Sequence, residues 1–270
     1  MDNRRIGIFD SGLGGLTVMK ELMELLPSES LVYFGDTGRI PYGTKSKETI
    51  IKYTRSDIRF LSQFSLKTVV AACGTASSIG LPAIEGEFDI PLVGVTAAAS
   101  RGAARATKNG RVGVIGTAAT VRSDAYRILL ERENPDITTV SVACPMFVPL
   151  VEYGYATGTV AEMIARDYLK DIIDSGADTL ILGCTHYPLL SEVIRKVMGP
   201  EVTLINPGAC AAWEIKDWLV QKDMLAEEKS HEPYQFYVSD DPREFASLGS
   251  VFLQRPINGM VERVDIEKYI

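Results

Sequence analysis

The sequence predicts an α/β protein, and three observations carry that prediction. Short apolar runs alternate with amphipathic stretches along the chain. The runs are continuously apolar, which is typical of parallel strands covered by helices on both faces. An apolar run followed closely by cysteine and threonine occurs twice, at Cys73 and Cys184. The alternation alone allows one long sheet or two small ones, but the repetition favours two similar halves that face each other.

The strands and helices are predicted in order from their periodicity. In the first helix, for example, Leu16, Met19, Leu22, Met23 and Leu26 recur at helical spacing. The predicted strands are about nine: 5–10, 30–36, 67–73, 91–96, 111–117, 138–144, 177–184, 201–207 and 234–240. The predicted helices are 15–27, 45–64, 75–88 with a break at Pro82, 97–110, 121–135, 159–176, 187–199, 208–225 and 241–253. Residues 226–233 are predicted to form a loop, and 258–270 receive no assignment.

The composition excludes several classes of protein. The chain of 270 residues has a formal charge of −7 and no cluster of basic residues, which argues against a nucleic-acid partner. No apolar run reaches the roughly 18 residues of a membrane helix. The N-terminus does not resemble a signal peptide, so a cytoplasmic protein is expected. Four cysteines without a CxxC motif and only two histidines make a metal site improbable.

Small and hydroxyl-bearing residues follow the predicted strands. In open parallel sheets this is the edge where ligands bind. Asp10-Ser11, Cys73-Gly74-Thr75, Gly116-Thr117 and Cys184-Thr185-His186 all occupy such positions. Backbone N–H groups and hydroxyls at these ends suit the binding of carboxylates.

Cys73 and Cys184 lie in matching settings, which predicts that they act as a pair. A thiolate is a usable base and a thiol a usable acid. One of each, on opposite faces of a substrate carbon, can remove a proton from one side and add one to the other. This chemistry inverts a stereocentre without a cofactor, provided that fixed donors stabilise the developing charge.

Five motifs occur in order between about residue 5 and residue 208. They read FDSGLGGLTV, GDTGRIPYG, ACGTASS, FVPLVEYG and GCTHYPLL. Together they resemble the cofactor-independent aspartate/glutamate racemase family, and its glutamate branch in particular. The resemblance implies two similar α/β domains with the active site in the cleft between them. The first domain would comprise 1–95 plus 208–270, and the second 96–207.

The resemblance also implies an activity and a set of site residues. The activity is interconversion of L- and D-glutamate, with D-glutamate supplied to peptidoglycan, without cofactor or metal. Cys73 would deprotonate D-glutamate and Cys184 L-glutamate, assisted by Asp10, His186 and Glu152. The residues implied to bind substrate are Asp10, Ser11, Pro41, Tyr42, Gly43, Gly74, Thr75, Thr117, Thr120, Thr185 and His186. Because the family often forms dimers, a homodimer is a further expectation.

Gly74 departs from the family pattern, in which asparagine usually follows the first cysteine. The missing amide could cost roughly 1.5–3 kcal/mol of substrate binding if nothing replaces it. This keeps open an alternative substrate, such as aspartate or a hydantoin-type acid, although GCTHYPLL favours glutamate.

The sequence argues against two other classes of protein. Gly12, Gly14 and Asp36 partly match a dinucleotide-binding fingerprint, but Thr17 occupies the third glycine position. A binding protein with a degenerate site would be expected to lack one of the two thiols, and both are present. Cys144 and Cys210 are interpreted as packing residues, and His231 as a surface residue.

Overall fold

The computed structural model describes residues 2–227, 234–257 and 261–270, and their strands form two fully parallel sheets. The strands are β1 Arg5–Asp10, β2 Leu31–Gly35, β3 Leu66–Ala71, β4 Leu92–Gly94, β5 Arg111–Gly116, β6 Thr138–Ala143, β7 Thr179–Leu182, β8 Thr203–Ile205, β9 Tyr234–Val238 and β10 Val261–Arg263. The α/β prediction is confirmed.

Eleven α-helices connect or cover the strands of the described residues. They are α1 Leu16–Leu25, α2 Lys47–Leu61, α3 Leu81–Ala83, α4 Val95–Ala106, α5 Ala118–Arg122, α6 Ala125–Glu133, α7 Phe147–Glu152, α8 Thr159–Asp174, α9 Ser191–Met198, α10 Pro207–Gln221 and α11 Pro242–Leu253. Polar residues begin several of them: the side chains of Ser46, Asn206 and Asp241 accept backbone N–H groups of the first turns of α2, α10 and α11.

The first sheet has the strand order β10-β9-β2-β1-β3-β4. Its strands β1 to β3 are almost completely buried, as continuous apolar runs between two helical layers require. Residues from both ends of the described chain build this sheet, because β9 pairs in parallel with β2 from Leu31↔Tyr234 to Gly35↔Val238.

The second sheet has the order β6-β5-β7-β8 and is contained within residues 111–205. Helix α10 packs on both α1 and α4, so it links the layers of the two sheets. The carboxyl ends of strands from both sheets line one cleft. The division of the chain at residues 95 and 207 stays a prediction.

Several predicted boundaries are wrong, and each has a local cause. Pairing of β4 with β3 stops at Gly94, and Val95 and Thr96, predicted as strand, open α4. The helix predicted over 121–135 is divided by Asp124, whose φ of 57° is left-handed. Residues 75–88 form a π-helical turn at Ala76–Gly80 followed by α3.

Two of these strands and α-helices were not predicted at all. Helix α7 lies in the stretch that follows β6, and β10 lies in the unassigned tail. His231 and part of the predicted loop 226–233 lie outside the described residues. Within the described part of the chain, no helix is both long enough and apolar enough to cross a bilayer.

Candidate active site

The two predicted catalytic thiols line the same cleft. Cys73 lies two residues beyond β3 of the first sheet, and Cys184 two residues beyond β7 of the second. The cleft has a volume of about 510 Å³. The similar motifs around the two cysteines therefore correspond to equivalent positions in the structure, beyond the carboxyl end of a strand in each parallel sheet.

Cys73 is held as a protonated thiol. Its side chain is buried, and Sγ donates to Oγ of Ser11 at 3.6 Å. Burial first, and the nearby carboxylate of Asp10 second, raise the pKa of Cys73 to about 12, although the N–H of Ala76 opposes the shift. At neutral pH this thiol is a proton donor.

Cys184 has a different partner. Its Sγ lies 3.9 Å from Nδ1 of His186, and Nε2 of His186 lies 2.9 Å from Oε1 of Glu152. Burial alone would lower the pKa of His186, but hydrogen bonds to Cys184 and Glu152 outweigh it and raise that pKa to about 10. The imidazole is therefore a cation at neutral pH, and a cation beside sulfur stabilises a thiolate.

Asp10 lies between the two thiol-bearing loops. Its Oδ2 accepts the N–H of Gly12 at 2.9 Å, and its Oδ1 accepts the hydroxyl of Thr185 at 3.4 Å. Burial raises the pKa of Asp10, and the charge of His186 opposes that shift. Asp10 is not among the residues that line the cleft, so its influence on a substrate passes through its neighbours.

Three threonine hydroxyls meet at the junction of the two halves. Oγ1 of Thr75 lies 3.0 Å from that of Thr117 and 3.4 Å from that of Thr120, and the last two are 3.0 Å apart. Thr75 and Thr117 line the cleft, whereas Thr120 is buried behind them. Hydroxyls both donate and accept, so this group can adapt to a bound carboxylate.

The remaining predicted binding residues also reach the cleft. Its lining includes Ser11, Pro41, Tyr42, Gly43, Gly74, Thr185, His186 and Glu152. The hydroxyl of Tyr42 is not available there, because it lies 2.5 Å from Asp36 and 2.8 Å from Asp57 in the interior.

Gly74 lies against the loop that carries Cys184. A Cβ atom at this position would lie 2.4 Å from the backbone carbonyl oxygen of Gly183. The absence of a side chain therefore permits backbone contact between the two thiol-bearing loops.

The partial dinucleotide fingerprint has a different explanation in the structure. A Cβ at Gly14 would lie 2.1 Å from Oγ1 of Thr185 and 2.6 Å from Nδ1 of His186. The absence of a side chain at Gly14 thus allows the loops of the two halves to pack against each other. Asp36 is buried in an ion pair with Arg39, so it is not placed to bind a ribose.

One wall of the cleft was missed by sequence reasoning. It comes from the C-terminal segment, whose lining residues are Asp240, Asp241, Glu244, Phe245 and Leu248. In addition, the ring of Phe252 meets His186 edge-on at a centroid distance of 5.0 Å. The helix was predicted, but its acidic start resembles an ordinary N-terminal cap, and no motif there indicated a site.

The other two cysteines do not line the cleft. Cys144 is buried, and its thiol contacts the carbonyl of Val142 at 3.7 Å. Cys210 packs close to Gly102. Both positions agree with their interpretation as packing residues.

Comparison with known proteins places these features in a family. The model of the Asp/Glu/Hydantoin racemase family matches residues 6–215. A glutamate racemase of Geobacter metallireducens is 45% identical over 98% of this chain and 97% of its own. The crystal structure of a Francisella tularensis glutamate racemase in complex with D-glutamate is 40% identical, with a TM-score of 0.92 and complete coverage of both chains. A glutamate racemase isoform from Bacillus anthracis is 35% identical, with a TM-score of 0.92 and 98% coverage of both chains.

Proposed function

The chain belongs to the Asp/Glu/Hydantoin racemase family, and we propose that it interconverts L- and D-glutamate by proton transfer between two thiols. The observation that carries this proposal is the pairing of Cys73 and Cys184 across one cleft between two sheets. Identity to glutamate racemases over almost the whole chain supports glutamate as the substrate.

From L-glutamate, Cys184 acts as the base. His186 keeps a positive charge beside its sulfur, and Glu152 holds the imidazole through Nε2. The thiolate removes the α-proton, and the electron pair of the broken C–H bond stays on the α-carbon and its carboxylate. Cys73 then donates its thiol proton to the opposite face, which produces D-glutamate.

From D-glutamate the roles are exchanged. Cys73 removes the proton, with Asp10 and Ser11 beside it, and Cys184 delivers a proton from the other side. After either direction the two thiols hold the opposite protonation states, and proton exchange returns them to the starting state.

The developing negative charge needs donors that are already oriented. The hydroxyls of Ser11, Thr75, Thr117 and Thr185, with the N–H groups of the strand-end loops, supply them around the cleft. These groups can bind the carboxylates of the substrate, since no lysine or arginine is among the described residues that line the cleft. The alternative substrates suggested by Gly74 gain no support, because the compared full-length relatives are glutamate racemases.

The wider role follows from the product. We propose that the protein works in the cytoplasm and supplies D-glutamate for peptidoglycan. Its assembly as a homodimer stays a prediction, which analytical ultracentrifugation would test.

The test follows the α-proton in D₂O by proton NMR, with circular dichroism as the readout of optical activity. The wild-type protein, without added cofactor, is expected to exchange and racemise both enantiomers of glutamate. Cys73→Ser and Cys184→Ser should each lower racemisation by about a hundredfold or more, the scale of a lost general acid or base.

Cys210→Ser is the matched control, since it changes a thiol outside the cleft, and it should retain racemisation. Unchanged racemisation in either active-site variant would contradict the two-thiol mechanism. Activity on aspartate, with none on glutamate, would show instead that the chain has another specificity.

A further inference from the structure

A buried cluster of charged and hydroxyl groups lies behind the loop that carries Pro41, Tyr42 and Gly43. We call Asp36, Arg39, Tyr42, Asp57 and Ser239 the carboxyl cluster. We propose that Asp57 carries a proton at neutral pH and, through Tyr42, acts as a positioning residue for this wall of the cleft. The inference about catalysis rests on the proposed function, whereas the placement of the proton does not.

The contacts of the cluster are specific. Arg39 donates through Nε to Oδ2 of Asp36 at 2.6 Å and through Nη2 to Oδ1 of Asp57 at 3.0 Å. The hydroxyl of Ser239 donates to Oδ1 of Asp36 at 2.8 Å. The oxygen of Tyr42 lies 2.5 Å from Oδ2 of Asp36 and 2.8 Å from Oδ2 of Asp57.

Proton counting around Tyr42 shows that one of the two carboxyls must be protonated. A phenol has a single hydrogen, so it can donate to only one carboxylate. The carboxyl group that does not accept this hydrogen must then donate a hydrogen bond to the phenol oxygen. Only a protonated carboxyl can do so. Two buried carboxylates beside one guanidinium would otherwise leave an uncompensated negative charge.

The distribution of donors identifies Asp57 as the protonated group. Asp36 accepts hydrogen bonds from Arg39 and Ser239 before Tyr42 is counted, and these stabilise its charged form. Among the described residues, Asp57 accepts a hydrogen bond only from Arg39 besides its contact with Tyr42. The chain of hydrogen bonds therefore runs from the hydroxyl of Asp57 to Tyr42, and from the hydroxyl of Tyr42 to Asp36.

The surrounding charges also favour the protonated form of Asp57. Burial, followed by the charges of Asp36 and Asp10, holds the pKa of Asp57 well above its usual range. Glu267, from the C-terminal turn, lies 3.7 Å from Nη1 of Arg39 and is largely exposed. It adds negative charge near the guanidinium and gives Asp57 no stabilisation in its charged form.

The cluster is linked to the cleft through one short loop. Tyr42 is buried at 1% exposure, and its immediate neighbours Pro41 and Gly43 line the cleft with it. Ser239 adjoins Asp240, which lines the wall formed by the C-terminal segment. The hydrogen bonds of the Tyr42 hydroxyl therefore hold the loop of Pro41 and Gly43 in a fixed position relative to the C-terminal segment.

The test compares Asp57→Asn with Asp57→Leu and Asp36→Asn. An asparagine at 57 can donate to Tyr42 and accept from Arg39, as a protonated aspartic acid does, so the KM for glutamate should stay within about twofold of the wild type. Leucine can do neither, and asparagine at 36 removes the counter-charge of Arg39. For both variants KM should rise by about tenfold, equivalent to about 1.4 kcal/mol, with a smaller change in kcat.

Infrared difference spectroscopy tests the proton directly and without turnover. The carbonyl band of a protonated carboxyl should be present in the wild type and lost in Asp57→Asn, because Asp36 then keeps Arg39 as its counter-charge and stays ionised. Absence of the band in the wild type, or its retention in Asp57→Asn, overturns the proposal, as does an Asp57→Asn enzyme with a tenfold higher KM. If the wild type does not racemise glutamate but the band is lost as expected, the proposed function fails and the protonated Asp57 stands.

Discussion

The two thiols are chemically unequal before any substrate binds. Cys73 is buried near a carboxylate that raises its pKa to about 12, whereas Cys184 lies beside a protonated imidazole. The free protein thus holds a protonated thiol on one side of the cleft and a cysteine beside a cationic imidazole on the other. In the proposed mechanism, Cys73 is ready to donate a proton in the direction from L-glutamate, whereas the direction from D-glutamate requires this proton to leave first.

Glu152→Gln tests the charge on His186. Glu152 helps to raise the pKa of His186 to about 10, so removing its charge should lower that pKa. His186 is a cation below its pKa and loses the charge as pH rises through it. The alkaline fall of kcat/KM for L-glutamate should therefore begin at lower pH, which a pH–rate profile measures.

The matched control for this prediction is Glu162→Gln. Glu162 forms an ion pair with Lys196 away from the cleft, so its variant should keep the wild-type profile. If the alkaline limb of the pH–rate profile is the same in Glu152→Gln as in the wild type, His186 does not supply the positive charge beside Cys184.

Most strands and long helices could be predicted because their periodicity is strong. The tail strand β10 could not, since its three residues Val-Glu-Arg have the composition of a loop and pair only because β9 is already in place. Helix α7 is short and contains Pro149, so its sequence gives little helical signal.

The candidate site likewise contains residues that the sequence could reveal and residues that it could not. Cys73 and Cys184 could be found because each follows an apolar strand within a distinctive motif. The wall formed by Phe245 and Leu248 could not, since ordinary helix residues reach the cleft only through the pairing of β9 with β2. Long-range pairing of this kind leaves no local pattern.

Gly74→Ala and Gly74→Asn test the contact between the thiol-bearing loops. Either Cβ would lie 2.4 Å from the carbonyl oxygen of Gly183, so the loops must separate. We expect kcat/KM to fall on the order of tenfold for both enantiomers, because displacements of about 1 Å can cost up to about a hundredfold. Steady-state kinetics in both directions measures the loss, with thermal unfolding as a check on folding. Higher activity in Gly74→Asn would show that the loops separate easily and that the amide binds substrate.

At the scale of the whole molecule, a buried ion pair fastens the C-terminal part of the chain to the first sheet. Nζ of Lys67 in β3 donates to Glu29 at 2.6 Å and to the carbonyl of Met224 at 2.7 Å. The other oxygen of Glu29 accepts the N–H of Ala226 at 2.8 Å. These contacts hold the chain just after α10, before it returns to the first sheet as β9.

Lys67→Met should destabilise the protein by about 3–5 kcal/mol, because it leaves the carboxylate of Glu29 buried without its partner. Urea unfolding would measure the change. A double variant that adds Glu29→Gln should recover part of the loss. Lys170→Met, which removes an exposed pair with Asp174, is the control and should leave the unfolding midpoint nearly unchanged. Equal effects of the two single variants would contradict the role of the buried pair.

The order of the strands along the chain has a consequence for synthesis on the ribosome. Strands β1 to β4 emerge first and the whole second sheet next, while β9 and β10 emerge after both. Until then β2 presents an open edge, and such an edge invites pairing with other chains. A nascent polypeptide that already carries both thiols therefore still lacks a neighbour for β2 and one wall of its cleft. We expect catalysis only after translation has passed β9 and α11, because residues of α11 complete the lining of the cleft.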